Sequence, residues 1–489
     1  MEKKFTAFLV LLALFASFTV ALECFKLSAH KPFNFDEIFD FVGTLKHPIP
    51  SILKTGGSDQ IGKSPFYYVI QRITMQKVLS KEKQIQFGWD WRLSMRFVST
   101  ILVALGCLIA SLILLPMSWG VALALPILMA NYSHVVWYGA ESRTHSAWLC
   151  WSTILYAVAI VFALKPKSIL WGLFWVLSCG LITSSGISSV PQVFTLAFSM
   201  LLFWILQNKT PGKLKILKSQ EAIFLYAGLG VSFLLFKIWM EPRPITFSHF
   251  KEPMSYYFQH FTNYALEPLG GTSGLLRFLF FTLMMIVYGY SRACTAGTRA
   301  GSARDNVRCA DDKISSQSKL FLALGLLCLS QLFLIPLLYV AQIINGYFFS
   351  PRHVLFSTTI RALAVGGFVA LCYEALTLFF SQKYFKILIG LLLSLSISFD
   401  WFHWSVFTIP KSITELKSFY RPYCHMPIAY DYPSWVSKSP QTPVEQVDTE
   451  TYNFNVLNIY RHSGHHSGQC APLPKGVRTY DFSPDWIYD

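Results

Sequence analysis

Charge is what this sequence has least of. Asp, Glu, Lys and Arg make up 14% of its 489 residues, where a soluble chain carries about 25%, so a water-soluble globular enzyme is excluded. No CxxC pair occurs among the ten cysteines, which removes the usual zinc and redox frameworks. Most of these cysteines fall inside apolar runs, where Cys acts as a small hydrophobe. No Gly-x-Gly-x-x-Gly turn opens a helix, and the "GSAR" segment at 301–304 lacks both the spacing and the Lys of a phosphate-binding loop. A nucleotide held on a soluble dinucleotide-binding domain is therefore not expected.

What is present is apolar length. Hydrophobic residues are 53% of the chain, and they gather in runs of about 18–22 residues, long enough to cross a bilayer as helices. Eleven spans are predicted, at roughly 5–22, 95–115, 118–136, 146–164, 168–184, 188–206, 222–240, 274–290, 320–342, 354–376 and 387–405. "MEKK" before the first run reads as an N-in signal anchor; a cleaved signal peptide would put the emerging chain on the same side. The formal charge of +15 then has a topological explanation rather than a nucleic-acid one. The segments 165–167, 207–220, 291–319 and 381–386 hold most of the loop lysines and arginines and face inward by the positive-inside rule, while the short outward loops hold few, among them Arg143, Arg243, Lys251 and Arg352.

Three large pieces are left outside: 23–94, 241–273 and the tail from about 406. Within the first, "SPFYYVIQRITMQKVL" spaces apolar and aromatic residues as a helix does. That suits a helix at the membrane interface, or a loop helix packed on its own domain. The tail mixes turn signals with one alternating stretch, "YNFNVLNIY", and reads as a small extracytoplasmic domain. Cys424 and Cys470 both fall in it, where an oxidising space permits a disulfide, with Cys24 as a competing partner. His462, His465 and His466 cluster in a Gly/Ser-rich setting that reads as a loop rather than a metal site.

Three groups of polar and charged residues approach the outward side. "PFNFDEIFDF" (32–41) places Asp36, Glu37 and Asp40 just after the first span. "SHVVWYGAESRTHS" (133–146) ends the third span, and "YFFSPRHVLF" (347–356) begins the tenth. Ionisable residues at span ends are costly unless they pair or face water, so they mark candidate sites. Headgroup anchoring by Arg and aromatics would account for any one of the groups alone.

Taken in order, these segments resemble the GT-C membrane glycosyltransferases, in particular the branch of protein mannosyltransferases, the aminoarabinose transferase and bacterial polyprenyl-phosphate-sugar-dependent transferases. The resemblance covers roughly residues 1–405. Asp36-Glu37 matches the acidic pair after the family's first span, and Pro65-Phe66-Tyr67-Tyr68 matches its Pro-Leu-Tyr-Tyr-like helix. Arg96 and Ser99 match an Arg-x-x-Ser entry to the second span. Tyr138, Glu141 and Arg143 match part of a Tyr-Ser-Gln-Glu-Ala-Arg-like stretch, and Arg352-His353 stands where the family has Arg-Tyr. The chain departs from the pattern at Lys63, where the family often has His, and at His145 and His353, where it has tyrosines.

The resemblance implies an all-α polytopic membrane protein with about eleven transmembrane helices. Residues 1–405 would form a GT-C domain that includes the extracytoplasmic loop 23–94, and 406–489 a small extracytoplasmic domain. It implies transfer of a sugar from a polyprenyl-phosphate donor to the hydroxyl of a protein, glycolipid or polysaccharide acceptor. The membrane would be a bacterial inner membrane with the site facing the periplasm, or an ER membrane with the site facing the lumen. Asp36 is expected as the base, with Glu37 structural beside it or, were the reaction covalent, a nucleophile. Arg143, Arg243 and Arg352 are expected on the donor phosphate. Lys63, Tyr67, Glu141, His145 and His353 are expected to line the site, and Asp40, one helical turn beyond Asp36, to matter little. No cofactor is required; a divalent metal is compatible with the chemistry, although no ligand set stands out. Two other readings are a transporter or flippase of a lipid-linked substrate, against which no repeat relates the two halves, and a membrane scaffold that binds through its tail.

Overall fold

The computed structural model describes residues 2–28, 40, 44, 47–56, 64–78, 91–186, 188–207, 220–239, 258–259, 261–299, 305–344 and 351–379. Among them the regular structure is entirely helical. The elements are α1 (Glu2–Ser28), α2 (Ile49–Thr55), α3 (Pro65–Ile73), α4 (Trp91–Leu114), α5 (Trp119–Asn131), α6 (Ser133–Gly139), α7 (Thr144–Leu164), α8 (Ile169–Thr183), α9 (Ser189–Gln207), α10 (Gln220–Trp239), α11 (Gly271–Arg299), α12 (Asp305–Ile344) and α13 (Phe356–Phe379). Eight of these are long and apolar enough to cross a membrane, and α5 with α6 makes a ninth candidate as one broken span. The chain is thus a multi-pass helical membrane protein.

The difference from the eleven predicted spans has three sources. α8 has 15 residues, short of the ~20 that cross a bilayer upright. The span expected over 387–405 lies outside the described residues, as does the whole tail with its expected strand, its His cluster, Cys424 and Cys470. The continuous span expected over 118–136 is instead bent by 72° between α5 and α6. Tyr132 adopts an extended conformation there, at φ −84° and ψ 116°. The local cause is the polar run Asn131–His134, whose side chains offer the backbone alternatives to the helical ladder; Asn131 Nδ2 donates back to the Ile127 carbonyl at 2.7 Å. Two further boundaries move. α1 continues to Ser28 rather than ending near 22, and the basic stretch expected as an inward loop over 291–319 is largely helical, as extensions of α11 and α12.

α7 forms the centre, packed by α4, α8, α9, α12 and α13. Its apolar window is 89% buried, against 28% for α1, α10 and α11 at the periphery. Small residues allow the close packing that lipid-embedded helices depend on. A Cβ on Gly106 of α4 would come within 2.7 Å of the Cys150 Cα on α7. Polar side chains then fix the register. Trp148 Nε1 donates to Gln192 Oε1 at 3.0 Å, Gln192 Nε2 to Tyr156 Oη at 2.6 Å, Tyr156 Oη to Gln331 Oε1 at 3.1 Å, and Gln331 Nε2 to Thr195 Oγ1 at 2.6 Å. This relay ties α7 to α9 and α12, and Thr153 with Thr359 (3.1 Å) ties it to α13. Interhelical bonds of this kind contribute about 0.6–2 kcal/mol each.

α3 combines the two alternatives the sequence left open. Tyr67, Tyr68 and Gln71 are buried against the bundle, while Ile70 and Ile73, with Val78 in the π-helical turn Thr74–Val78 that follows, are exposed apolar residues that suit the interface. Phe66 meets the Trp239 ring edge-on at 5.6 Å, and Trp239 Nε1 donates to the Leu53 carbonyl at 3.0 Å, so α2 and α3 close over the end of α10.

Sidedness is open to direct test. Single cysteines at 36, 215, 300 and 440 in a Cys-free chain should react with an impermeant maleimide in intact cells only at 36 and 440. Labelling at 215 or 300 would overturn the orientation assigned from the Lys/Arg partition.

Candidate functional site

The candidate site lies where α1, α6 and α10 end and where α4, α7 and α13 begin. Their junctions are held by polar groups at helix ends, which must find partners because the last turn leaves its carbonyls unsatisfied. Arg96, wholly buried in α4, donates to the Ser28 carbonyl at the end of α1 (2.8 Å). Thr100 Oγ1 donates to the Gly139 carbonyl at the end of α6 (3.1 Å). Gly139 is required in that turn, since a Cβ there would sit 2.7 Å from the Cys24 Sγ of α1. Tyr67 and Ser99 share a hydroxyl–hydroxyl bond of 2.9 Å. Of the residues the sequence singled out here, Arg96, Ser99 and Tyr67 are therefore supports of the site's frame.

The turn 140–143 joins α6 to α7 and carries two of the predicted residues. Arg143 immediately precedes α7 in an extended conformation, its carbonyl accepting from Ser146 Oγ at 2.9 Å. Glu141 and Arg143 are both buried. Gln71 of α3 reaches this turn through a short hydrogen bond from its Nε2 to Ser142 Oγ. Arg352 and His353 lie in a single 3-10 turn, Pro351–Val354, just before α13. Tyr138, at the end of α6, lies within the electrostatic reach of Glu141, Arg352, Glu267 and Arg143 together, and its ring meets His145 edge-on at 5.5 Å. His353 feels both Arg352 and Arg143. The structure thus brings Arg143, Arg352, Glu141 and His145 around Tyr138, and both arginines act on His353 as well. Asp36, Glu37, Lys63 and Arg243 lie outside the described residues.

Asp40, expected from the sequence to matter little, lies against this group. It is fully buried, with Oδ2 3.5 Å from Arg143 Nε. Tyr68, also fully buried, lies beside both; burial first, and then the Asp40 carboxylate, raise its phenol well above the ordinary value, so it stays protonated as a donor. On the other flank His134 Nε2 is 3.3 Å from Glu267 Oε1. Arg361 lies 4.5 Å from the Tyr132 ring centroid and donates to the Pro268 carbonyl at 3.3 Å, pinning the turn before α11 to the bend in the broken span. No cluster of three His, Cys, Asp or Glu side chains suited to a metal occurs among the described residues.

Two guanidiniums and burial determine the charge of His353. Desolvation first, and then Arg352 and Arg143, push its imidazole down to about 3, so it is neutral at physiological pH. An unfolded chain takes up this proton near the ordinary value of about 6.5. The contribution to stability is therefore complete above that pH and is lost as pH falls from there towards 3. Acidification from pH 7.5 to 5 should lower the melting temperature of the wild type more than that of His353→Gln. Identical pH slopes would show that the ring is not held neutral.

No family model matches the chain, and no curated protein matches it. Among solved structures it is similar to the crystal structure of an oligosaccharyltransferase from Archaeoglobus fulgidus in the apo form, at 13% identity and a TM-score of 0.40, with 96% of this chain and 62% of that one covered. It is also similar to the archaeal oligosaccharyltransferase AglB from Archaeoglobus fulgidus in complex with an inhibitory peptide and a dolichol-phosphate, at 14% identity and a TM-score of 0.40, covering 99% and 62%. The chain thus spans about 62% of the length of the solved chains it matches. At these scores no residue role is carried across.

Proposed function

We propose that this chain is a membrane glycosyltransferase of GT-C type, which moves a sugar from a polyprenyl-phosphate donor to an acceptor hydroxyl at the extracytoplasmic face. The observation that carries the proposal is the meeting of Arg143 and Arg352 around Tyr138 and His353 at the ends of membrane spans. Two guanidiniums at headgroup depth suit a phosphate whose lipid tail stays in the bilayer, and the donor's leaving group is that phosphate. Fixed cations stabilise the charge that develops on it as the glycosidic bond breaks. A neutral His353 adds a hydrogen-bonding ring to the pair without a third positive charge.

In this reading the reaction is a direct displacement that inverts the anomeric carbon. The acceptor oxygen forms the new bond to that carbon, the bond to the phosphate oxygen breaks with its electron pair leaving on the phosphate, and the hydroxyl proton passes to Asp36. Arg243 and Lys63 complete the donor side, with Glu37 beside the base. Purified protein incubated with a panel of polyprenyl-phosphate sugars, with and without acceptor, tests this. Turnover of at least one donor to free polyprenyl phosphate is expected. No turnover across the panel, together with movement of the same lipids between leaflets of proteoliposomes, would replace the enzyme by a flippase.

A further inference from the structure

Asp40 has no part in the chemistry described above, yet it is fully buried and its backbone is held in place. Its own turn is fixed twice. Thr44 Oγ1 donates to the Asp40 carbonyl at 2.6 Å, and Arg72 of α3 donates through Nη1 to the carbonyls of Thr44 (3.0 Å) and His47 (2.6 Å). The same helix holds the other side of the pair, since Gln71 bonds Ser142 next to Arg143. α3 therefore sets the position of Asp40 and of Arg143 alike, and the carboxylate meets the guanidinium at its Nε edge, 3.5 Å away.

We propose that Asp40 is a positioning residue for the lipid-phosphate donor, acting through Arg143. The inference rests on the donor-phosphate reading of Arg143 and Arg352. Two physical effects support it. A guanidinium is planar and carries its five N–H donors in a fixed fork, so a carboxylate held at Nε sets the plane in which the remaining donors meet a phosphate. Arg143 and Arg352 both act electrostatically on His353 and Tyr138, and like charges directed at one site repel. Asp40 offsets that repulsion, so both cations are in place before an anion arrives. A base role does not suit Asp40, because it is completely buried and one of its oxygens is turned to Arg143.

The test measures binding of farnesyl phosphate to the purified full-length chain in nanodiscs, with the KM and kcat of sugar transfer as a second readout. Asp40→Asn keeps the shape and removes the charge. It should weaken farnesyl phosphate binding by about tenfold or more, the equivalent of one moderate charged contact, and the loss should be carried by KM. Asp40→Glu should recover part of it. In an Arg143→Ala background Asp40→Asn should cost nothing further, because Asp40 acts only through that guanidinium. Arg72→Gln leaves both charges in place and loosens only the turn, so it should weaken binding several-fold; it decides the matter if Asp40→Asn does not give folded protein. Wild-type binding that survives Asp40→Asn and Arg72→Gln within twofold would overturn the proposal. So would losses that multiply with Arg143→Ala, or a loss confined to kcat. A wild-type chain that binds no farnesyl phosphate would overturn the donor reading and this inference together.

Discussion

Asp36→Asn is expected to lower single-turnover sugar transfer by about 10²–10⁴-fold, the usual cost of losing a general base, while expression and donor binding persist. The substitution keeps the side chain's shape and one acceptor oxygen but removes its charge and its proton affinity. The expectation follows from where the reaction must occur. The lipid phosphate is tethered at the membrane surface, so the group that takes the acceptor's proton must be held at that depth. A carboxylate deeper in the bilayer would tend to become neutral. Asp36 is four residues before Asp40 in the sequence, and Asp40 is seated against Arg143; four residues of chain span at most about 14 Å. Glu37→Gln should have a smaller effect. A dead Glu37→Gln beside a near-normal Asp36→Asn would reverse the two assignments, and full activity in both would remove the chemical centre of the proposed enzyme.

The second large effect is expected at Arg352. Losing a charge-assisted contact to phosphate costs about 1.5–3 kcal/mol, so Arg352→Ala should reduce donor affinity or turnover roughly ten- to a hundredfold. Arg352→Lys should recover only part, because an ammonium cannot form the planar fork. The structure gives reason to place Arg352 ahead of Arg143 in this test. Part of the Arg143 guanidinium is engaged by Asp40, whereas Arg352 lies in a short turn at the entry to α13 and is only partly buried. Unchanged donor kinetics in a folded Arg352→Ala chain would move the phosphate to Arg143 or Arg243.

The membrane helices were the most legible part of the chain, because apolar length is a local property that composition alone exposes. The bend at Tyr132 was hidden for a related reason: the polar run Asn131–His134 is short between the apolar α5 and α6, so the whole stretch passes as one span, and the break shows only in the backbone at Tyr132. Arg143, Glu141, Arg352 and His353 could be singled out because charge at a span end is rare. The convergence of Arg143, Glu141 and Arg352 on Tyr138 could not, since it depends on how α6, α7 and α13 pack. From the sequence Asp40 is expected to matter little, because it stands one turn past the acidic pair and matches no family position. Its signal, a carboxylate followed by Thr44 and bracketed by Arg72, becomes readable only once α3 lies across it. The relay of Trp148, Gln192, Tyr156 and Gln331 is the other case. Each is a lone polar or aromatic residue in an apolar run, and nothing local to any one of them names the next.

The central claim is that a lipid phosphate sits between the turns carrying Arg143 and Arg352. It is tested most directly by photo-crosslinking with a polyprenyl phosphate that carries a diazirine on the isoprene unit nearest the phosphate, followed by peptide mapping. The account predicts label within residues 138–146 and 351–356, displaced by an unlabelled polyprenyl-phosphate sugar and strongly reduced in Arg352→Ala. Label spread along the exposed faces of α1, α10 and α11, with no displacement by the sugar donor, would contradict it.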